Sequence, residues 1–245
     1  MLPKDRNISA ASQDMSQLPR FGGWLSVSNL IGPLMVYADR FYLASIFPPA
    51  AVAYYTVPND TLTRVSILPN TAMSAIFPAM AEAKADDKTM RQLLRKAAIA
   101  IFAMVLPPVI IGVIFAYSIL SLWLGTNFAT QAYPIFQILL IGIFFNSSAF
   151  LPFAYLQANG RSDLTAKLHF IEFPVFIVAL YLAVAKYGVD GAAISWVIRV
   201  AMDAALLYII SAKLNEAHRN FLLKIMTLTL GFGVLMLATL TKTIF

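Results

Sequence analysis

Long apolar runs alternate with short polar clusters along almost the whole chain. Each run is close to the ~20 residues that a helix needs to cross the hydrocarbon core of a bilayer. The seven predicted spans, in chain order, are residues 22–46, 50–80, 97–120, 131–156, 168–186, 190–212 and 221–241. The connections between them are no longer than about fifteen residues, too short for a soluble domain. The pattern therefore predicts an all-α, polytopic transmembrane helix bundle of about seven helices.

Composition supports the membrane prediction. Of the 245 residues, 60% are apolar and 12% are charged, whereas a soluble domain is about half apolar and a quarter charged. The chain has no cysteine, which excludes disulfides and thiolate metal sites. Its two histidines, His169 and His218, are not expected to form a metal-ligand cluster. The net charge of +6 indicates basic loops on one side of a membrane and no nucleic-acid partner.

Lys and Arg of the polar segments occur mostly in the N-terminal tail and in every second connection. They are Lys4, Arg6, Arg20, Lys84, Lys88, Arg91, Arg95, Lys96, Arg161, Lys167, Lys213, Arg219 and Lys224. The exceptions are Lys186 in an intervening connection and Lys242 near the C-terminus. Because cytoplasmic loops are enriched in these residues, this alternation predicts a cytoplasmic N-terminus. Seven crossings would leave the C-terminus outside, and a re-entrant or surface helix at the end would leave it inside. We divide the chain into a tail at 1–20, a six-helix unit at 21–212 and an additional C-terminal membrane helix at 213–245.

Two pairs of charged residues fall inside the first two predicted spans. Asp39 and Arg40 are adjacent, so they point about 100° apart on a helix and must find different partners. Asp60 and Arg64 are four residues apart on one helical face and can pair with each other. The first two helices are therefore expected to share a charged layer in the outer half of the bundle. Both a structural role and a role in a transport pathway stay open for these charges.

Two further groups of polar residues lie in the fifth and sixth spans. Arg199 and Asp203 repeat the four-residue spacing, which favours a structural ion pair. His169 and Glu172 are expected near the cytoplasmic end of the fifth span, at a shallow depth. We interpret them as interfacial or structural residues, with proton carriage as the alternative.

Prolines are frequent inside the predicted spans. They are Pro33, Pro58, Pro69, Pro78, Pro107, Pro108, Pro152 and Pro174. Each removes a backbone donor and frees a carbonyl group one turn earlier. In lipid, neighbouring side chains or water must satisfy that group. The prolines fit a bundle that bends or encloses a hydrated cavity, and they also fit static kinks.

Several strings together resemble a known family. They are "RFGGWLSVSNLIGPLMVYADRFYLASI", "AVAYYTVPNDTLTRVSILPNTAMSAIFPAMAE" and "LQANGRSDLTAKLHFIEFPVFIVALYLAVAKYGVDGAAISWVIRVAMD". Over residues 18–212 the chain is similar to the bacterial polysaccharide transporter family. These proteins are the O-antigen and exopolysaccharide repeat-unit flippases of the multidrug/oligosaccharidyl-lipid/polysaccharide (MOP) exporter superfamily.

The resemblance implies a function, a substrate and a set of site residues. The implied activity is flipping of an undecaprenyl-pyrophosphate-linked oligosaccharide across the bacterial inner membrane, during biosynthesis of surface polysaccharides. No enzymatic chemistry and no cofactor are implied, although H⁺ or Na⁺ is a candidate coupling ion. Cationic side chains would bind the pyrophosphate. Acidic side chains would form ion pairs with these cations or compete with the substrate for them. The candidate cavity residues are Arg40, Arg64, Arg199, Asp39, Asp60, Asn59 and Asp203.

The chain is shorter than members of that family, which have twelve to fourteen helices. Its G-G-W string resembles the one that opens their second half. We therefore expect one half of a transporter, which would work with a second half or as a homodimer among membrane lipids. Two alternatives remain. One is a cation-coupled multidrug exporter of the same superfamily, and the other is an inactive remnant or assembly partner of the polysaccharide machinery.

Overall fold

The computed structural model describes residues 37–244, with side chains described as far as residue 240. The described part of α1 covers residues 37–46. The helices that follow are α2 (Pro49–Val65), α3 (Ile67–Glu82), α4 (Asp87–Ile114), α5 (Ala116–Leu124), α6 (Thr126–Ala158), α7 (Ser162–Tyr187), α8 (Val189–Leu214) and α9 (Glu216–Ile244). A single 3₁₀ turn, Ala83–Ala85, precedes α4. The predicted tail at 1–20 and most of the first span lie outside the described residues.

Five of the described helices are long and apolar enough to cross a membrane. They are α4, α6, α7, α8 and the Glu216–Leu240 part of α9. This confirms the prediction of an all-α, polytopic transmembrane bundle. The predicted second span, 50–80, is instead divided into α2 and α3, of 17 and 16 residues.

The break between α2 and α3 lies at Ser66. The Ser66 side chain is buried, and its N–H donates to the Thr63 carbonyl oxygen at 3.2 Å. Pro69 follows in the first turn of α3 and has no N–H to continue the hydrogen-bond ladder toward α2. A proline inside an apolar run therefore marks the point where the continuous span that the sequence predicted is interrupted.

Most of the predicted polar connections are helical in the structure. Helix α4 begins at Asp87 and not near residue 97, because the Asp86 carboxylate caps it by accepting from the N–H groups of Lys88 and Thr89. The hydrogen bond from the Thr89 hydroxyl, followed by those N–H groups, lowers the pKa of Asp86. Hydropathy alone could not place this boundary, since the first turns of α4 are exposed and charged.

The turns between the later helices are very short. Gly125, Gly160 and Gly188 each have a positive φ, of 86°, 75° and 60°. Glycine adopts this conformation without the steric cost that a side chain would add. Because these turns take only one to three residues, helices α6 to α9 are longer than the spans that hydropathy predicted.

Helix α6 is the centre of the bundle. Of its most apolar stretch 78% is buried, whereas the other four spanning helices bury 22–50%. Small residues bring neighbours close to it, as in many membrane helix pairs. A Cβ atom on Gly142 would lie 2.1 Å from Trp196 Cζ3 of α8, and a Cβ atom on Gly233 of α9 would lie 2.0 Å from Phe145 Cζ. On the same helix as Gly233, a Cβ atom on Gly231 would meet nothing within 4 Å.

A side chain of α8 compensates for the proline near the end of α6. Pro152 has no N–H, so the carbonyl oxygen of Ser148 loses its helical donor. The Tyr208 hydroxyl donates to that oxygen at 3.0 Å, and the Ser211 hydroxyl donates to the Pro152 oxygen at 3.3 Å. Satisfying freed backbone groups in this way is what a lipid environment requires.

Contacts between connections agree with the alternation of basic and neutral loops. The turn after α1 lies beside the turn after α7, because a Cβ atom on Gly188 would be 4.0 Å from Phe47 Cζ. At the basic connections, Asn215 donates to Asp87 Oδ1 at 2.8 Å, and His218 Nε2 lies 3.3 Å from the same oxygen. The connections before α4 and before α9 therefore meet on one face of the bundle.

Candidate functional site

A buried hydrogen-bonded group joins α1 to α2. We call Asp39, Arg40, Tyr55, Asn59 and Asp60 the first polar cluster. The Asp39 carboxylate is fully buried and accepts from the hydroxyl of Tyr55, which is also fully buried. Asn59 Nδ2 donates to the Tyr55 oxygen at 2.9 Å, and the backbone N–H of Arg40 donates to Asp39 Oδ1 at 2.7 Å. The carboxylate therefore has two donors inside the bundle.

The turn between α1 and α2 places these residues at one level. Asp39 lies eight residues before Phe47, and Tyr55 lies eight residues after it. At a rise of about 1.5 Å per residue, both are about 12 Å from the turn. Two antiparallel helices of this kind bring the carboxylate and the phenol together without any unusual backbone geometry.

Arg40 and Asp39 contact different side chains of α2, as their adjacent positions on the helix require. Its Nη1 atom lies 2.6 Å from Asp60 Oδ1, and the two side chains are 20% and 53% exposed. The guanidinium group also lies 5.2 Å from the centre of the Tyr37 ring. Its Nε atom is buried and has no hydrogen-bond partner among the described residues.

The pairing of Asp60 corrects the sequence analysis. Asp60 pairs with Arg40 of the neighbouring helix and not with Arg64 four residues later. Arg64 is exposed and lies in the last turn of α2. A cation there is stabilised by the unpaired carbonyl groups at the end of the helix, so it does not need a carboxylate partner.

A second group of polar residues lies between α7 and α8. We call His169, Glu172 and Asp203 the acid–histidine cluster. One ligand-type atom from each residue lies within 4.8 Å of the others, and His169 Nε2 is 3.7 Å from Asp203 Oδ1. Glu172 is 5% exposed, and neither of its carboxylate oxygens has a hydrogen-bond partner among the described residues. The same is true of Asp203 Oδ1.

The acid–histidine cluster corrects two expectations. Asp203 does not pair with Arg199, because its carboxylate points toward His169 on the neighbouring helix. Glu172 lies about 15 Å from the start of α7 at Ser162, and its depth in the membrane stays a prediction. His169 does belong to a group with metal-ligand chemistry, contrary to the expectation that neither histidine does.

Arg199 lies between the two polar groups. Its guanidinium carbon is 5.3 Å from the centre of the Phe176 ring, and its charge acts on the carboxylates of both Asp39 and Glu172. With Glu172 it lines a narrow cleft of about 30 Å³. Arg40 and Arg64 do not line that cleft. A hydrated vestibule that all three arginines border remains a prediction.

These features define a helical integral membrane protein with two buried groups of ionisable side chains. The chain matches the family described as polysaccharide biosynthesis protein over residues 2–132. It is 39% identical over 200 residues to a Shigella flexneri protein named "Putative O-antigen transporter". The aligned region covers 82% of this chain and 48% of that relative. The chain therefore belongs to the polysaccharide biosynthesis protein family of membrane proteins, as its sequence strings indicated. It spans about half the length of that relative, and no solved structure matches it.

Three residues of the polar groups, Tyr55, His169 and Glu172, were not identified as site residues from sequence. Tyr55 supplies the hydroxyl that connects Asp39 to Asn59, and a tyrosine in an apolar run gives no signal of such a bond. Glu172 could have been found, because a carboxylate in a stretch of mean hydropathy 2.1 is costly unless it has a partner or a ligand.

Proposed function

We propose that the chain is part of a transporter that moves lipid-linked oligosaccharide units of a bacterial surface polysaccharide. In this proposal the units cross the inner membrane from the cytoplasmic leaflet to the outer leaflet. The identity to a protein named as an O-antigen transporter is the observation that carries it. The buried polar groups support it, because ionised side chains inside membrane helices mark substrate or ion pathways as well as packing contacts.

Arg40 and Arg199 have the chemistry that such a substrate needs. A pyrophosphate linkage carries negative charge, and the planar guanidinium group binds phosphate oxygens through two parallel hydrogen bonds. Arg40 keeps a buried Nε atom without a partner, and so does Arg199. Both therefore have a donor left for an anionic ligand, while Asp60 pairs with Arg40 in the absence of substrate.

We propose that further helices complete the pathway. They would lie in the same polypeptide, in a separate transporter half or in a second copy of this chain. The relative is about twice as long as the matched region, which agrees with a pathway built from two such units. Transporters made of paired repeats bind substrate near the middle of the membrane, at the interface of the repeats.

The contacts between connections support an orientation. Lys88, Arg91 and Arg95 are exposed near the start of α4, and Asp87 contacts the start of α9 on the same face. In our proposal this basic face is cytoplasmic. The turns after α1 and α7 then lie on the opposite side, and the first polar cluster is in the outer half of the membrane.

Complementation tests the proposed function. The chain is expressed, with and without a six-helix N-terminal half from a relative, in a strain whose own O-antigen flippase is deleted. We expect the lipopolysaccharide ladder to return when both halves are present, as measured by gel electrophoresis and silver staining. Immunoblotting of membrane fractions measures the abundance of the chain in each strain.

A matched pair of variants shows whether the rescue uses the proposed site. Arg40→Gln should abolish the ladder even where immunoblotting still detects the chain in the membrane, and Arg64→Gln should leave the ladder unchanged. An abundant, membrane-inserted chain that restores no ladder with any partner half would contradict the proposal. Equal effects of the two substitutions would show that the arginine of the first polar cluster is not used for transport.

A further inference from the structure

The acid–histidine cluster brings three side chains with metal-ligand atoms close together. His169 and Glu172 are three residues apart on one face of α7, and Asp203 reaches them from α8. Helix bundles build metal sites in their cores from this combination of a carboxylate and a histidine on one helix with a carboxylate on the next. Three atoms no more than 4.8 Å apart fit around a point about 2.8 Å from each. Small side-chain rotations close the remaining gap to the ~2.0–2.2 Å of zinc–ligand bonds.

Glu172 supplies an independent reason to place a ligand there. It is 5% exposed, no donor group among the described residues hydrogen-bonds to either of its carboxylate oxygens, and the Asp203 carboxylate lies beside it. A buried polar group without a partner costs free energy, and an isolated buried charge costs far more. Its carboxylate points at the other two members of the cluster, so one bound cation would satisfy Glu172 and Asp203 together.

We propose that His169, Glu172 and Asp203 bind one divalent first-row metal ion. Imidazole nitrogen with two carboxylates is a ligand set that suits Zn²⁺ or a similar ion, whereas Na⁺ and Mg²⁺ prefer oxygen ligands. The cleft beside Glu172, which Arg199 also lines, has a volume of about 30 Å³, room for a water-sized occupant. The Phe153 ring lies nearly parallel to the His169 ring, with 6.3 Å between their centroids.

Metal titration of the purified chain tests this site without reference to transport. The full-length protein in detergent is treated with a chelator and then titrated with Zn²⁺ in a calorimeter. Co²⁺ is used as a second probe, because its visible absorption reports the ligand geometry. We expect one equivalent of each metal to bind per chain. Glu172→Gln and Asp203→Asn should each weaken binding at least about 10-fold.

His218→Gln is the matched control. His218 also faces a carboxylate, with its Nε2 atom 3.3 Å from Asp87 Oδ1, but it does not belong to the three-residue cluster. The variant should bind Zn²⁺ as tightly as the unaltered chain. Size-exclusion chromatography confirms that each variant is folded and monodisperse before titration.

Three outcomes would overturn the proposal. The first is no saturable binding of Zn²⁺ or Co²⁺ to the unaltered chain. The second is unchanged binding in both Glu172→Gln and Asp203→Asn, which would place the metal elsewhere. The third is loss of binding in His218→Gln alone. Because none of these measurements uses transport, the site and the proposed function can fail separately.

Discussion

Removal of the Tyr55 hydroxyl isolates the contribution of the first polar cluster to stability. Tyr55→Phe keeps the buried ring and deletes one oxygen atom. That oxygen donates to the Asp39 carboxylate and accepts from Asn59 Nδ2 at 2.9 Å. The substitution therefore leaves a fully buried carboxylate with one donor fewer and a buried amide without its acceptor.

The magnitude follows from the two hydrogen bonds that are lost. A hydrogen bond to a charged group contributes about 1.5–3 kcal/mol in soluble proteins. Hydrogen bonds between membrane helices average about 0.6 kcal/mol, because the unfolded state in the membrane also finds partners. Asp39 keeps the donor from the Arg40 backbone at 2.7 Å, which limits the loss. We expect the free energy of unfolding to fall by about 1–3 kcal/mol.

Reversible unfolding in mixed micelles measures this change. Tyr54→Phe is the control, because it makes the same chemical change at the neighbouring position. The Tyr54 ring packs against Phe128 with a centroid distance of 5.1 Å, and among the described residues its hydroxyl has no hydrogen bond. If Tyr55→Phe and Tyr54→Phe lower the free energy of unfolding by amounts that agree within about 0.5 kcal/mol, the reasoning is refuted, because substitutions at ordinary surface positions have effects of that size. A double-mutant cycle with Asp39→Asn should give a coupling free energy of at least about 0.5 kcal/mol.

Three further predictions follow from particular contacts. Arg40→Ala should reduce the yield of folded protein in fluorescence-detected size-exclusion chromatography, because it leaves its partner carboxylate unpaired. Arg64→Ala should change the yield little, and equal losses would contradict the pairing. Gly233→Ala should destabilise the bundle by about 1–3 kcal/mol through overpacking, while Gly231→Ala, in open space, should be neutral or stabilising; detergent unfolding measures both. Hydrogen bonds from a threonine hydroxyl and from N–H groups lower the pKa of Asp86 in the fold. Its capping contribution is therefore complete above the ordinary pKa of about 3.9 and is lost as the pH falls through the lowered value. Hydrogen exchange at the start of α4 should show this loss, and Asp86→Asn should remove the pH dependence. Unaltered exchange between pH 6 and pH 2 would contradict the cap.

Hydropathy predicted the number and order of the later membrane helices but not where they begin and end. The apolar runs correspond to α4, α6, α7, α8 and α9, because burial in lipid requires the residues that hydropathy detects. The first turns of α4 are charged and exposed, so their helical state depends on the Asp86 cap. The division at Ser66 depends on Pro69 and on local packing, neither of which changes the hydropathy of the run.

The sequence predicted which types of residue form the candidate site better than it predicted the contacts between them. Sequence spacing shows which residues share a helical face, and it correctly predicts that Asp39 and Arg40 need different partners. It favours pairs within one helix, so it assigned Asp60 to Arg64 and Asp203 to Arg199. The structure shows that both carboxylates contact the neighbouring helix instead. Such contacts depend on the length of the turn between two helices, which hydropathy does not define.

The interruption at Ser66 changes how a small rotation is transmitted through the molecule. Helix α3 has 16 residues and is therefore about 24 Å long. A change of about 10° in the angle between α2 and α3 displaces its far end by about 4 Å, the width of a small side chain. Because Pro69 has no N–H to bond back across the joint, this rotation does not break a helical hydrogen bond at that residue. A modest tilt at Ser66 would thus become a lateral shift of that size at the far end of α3.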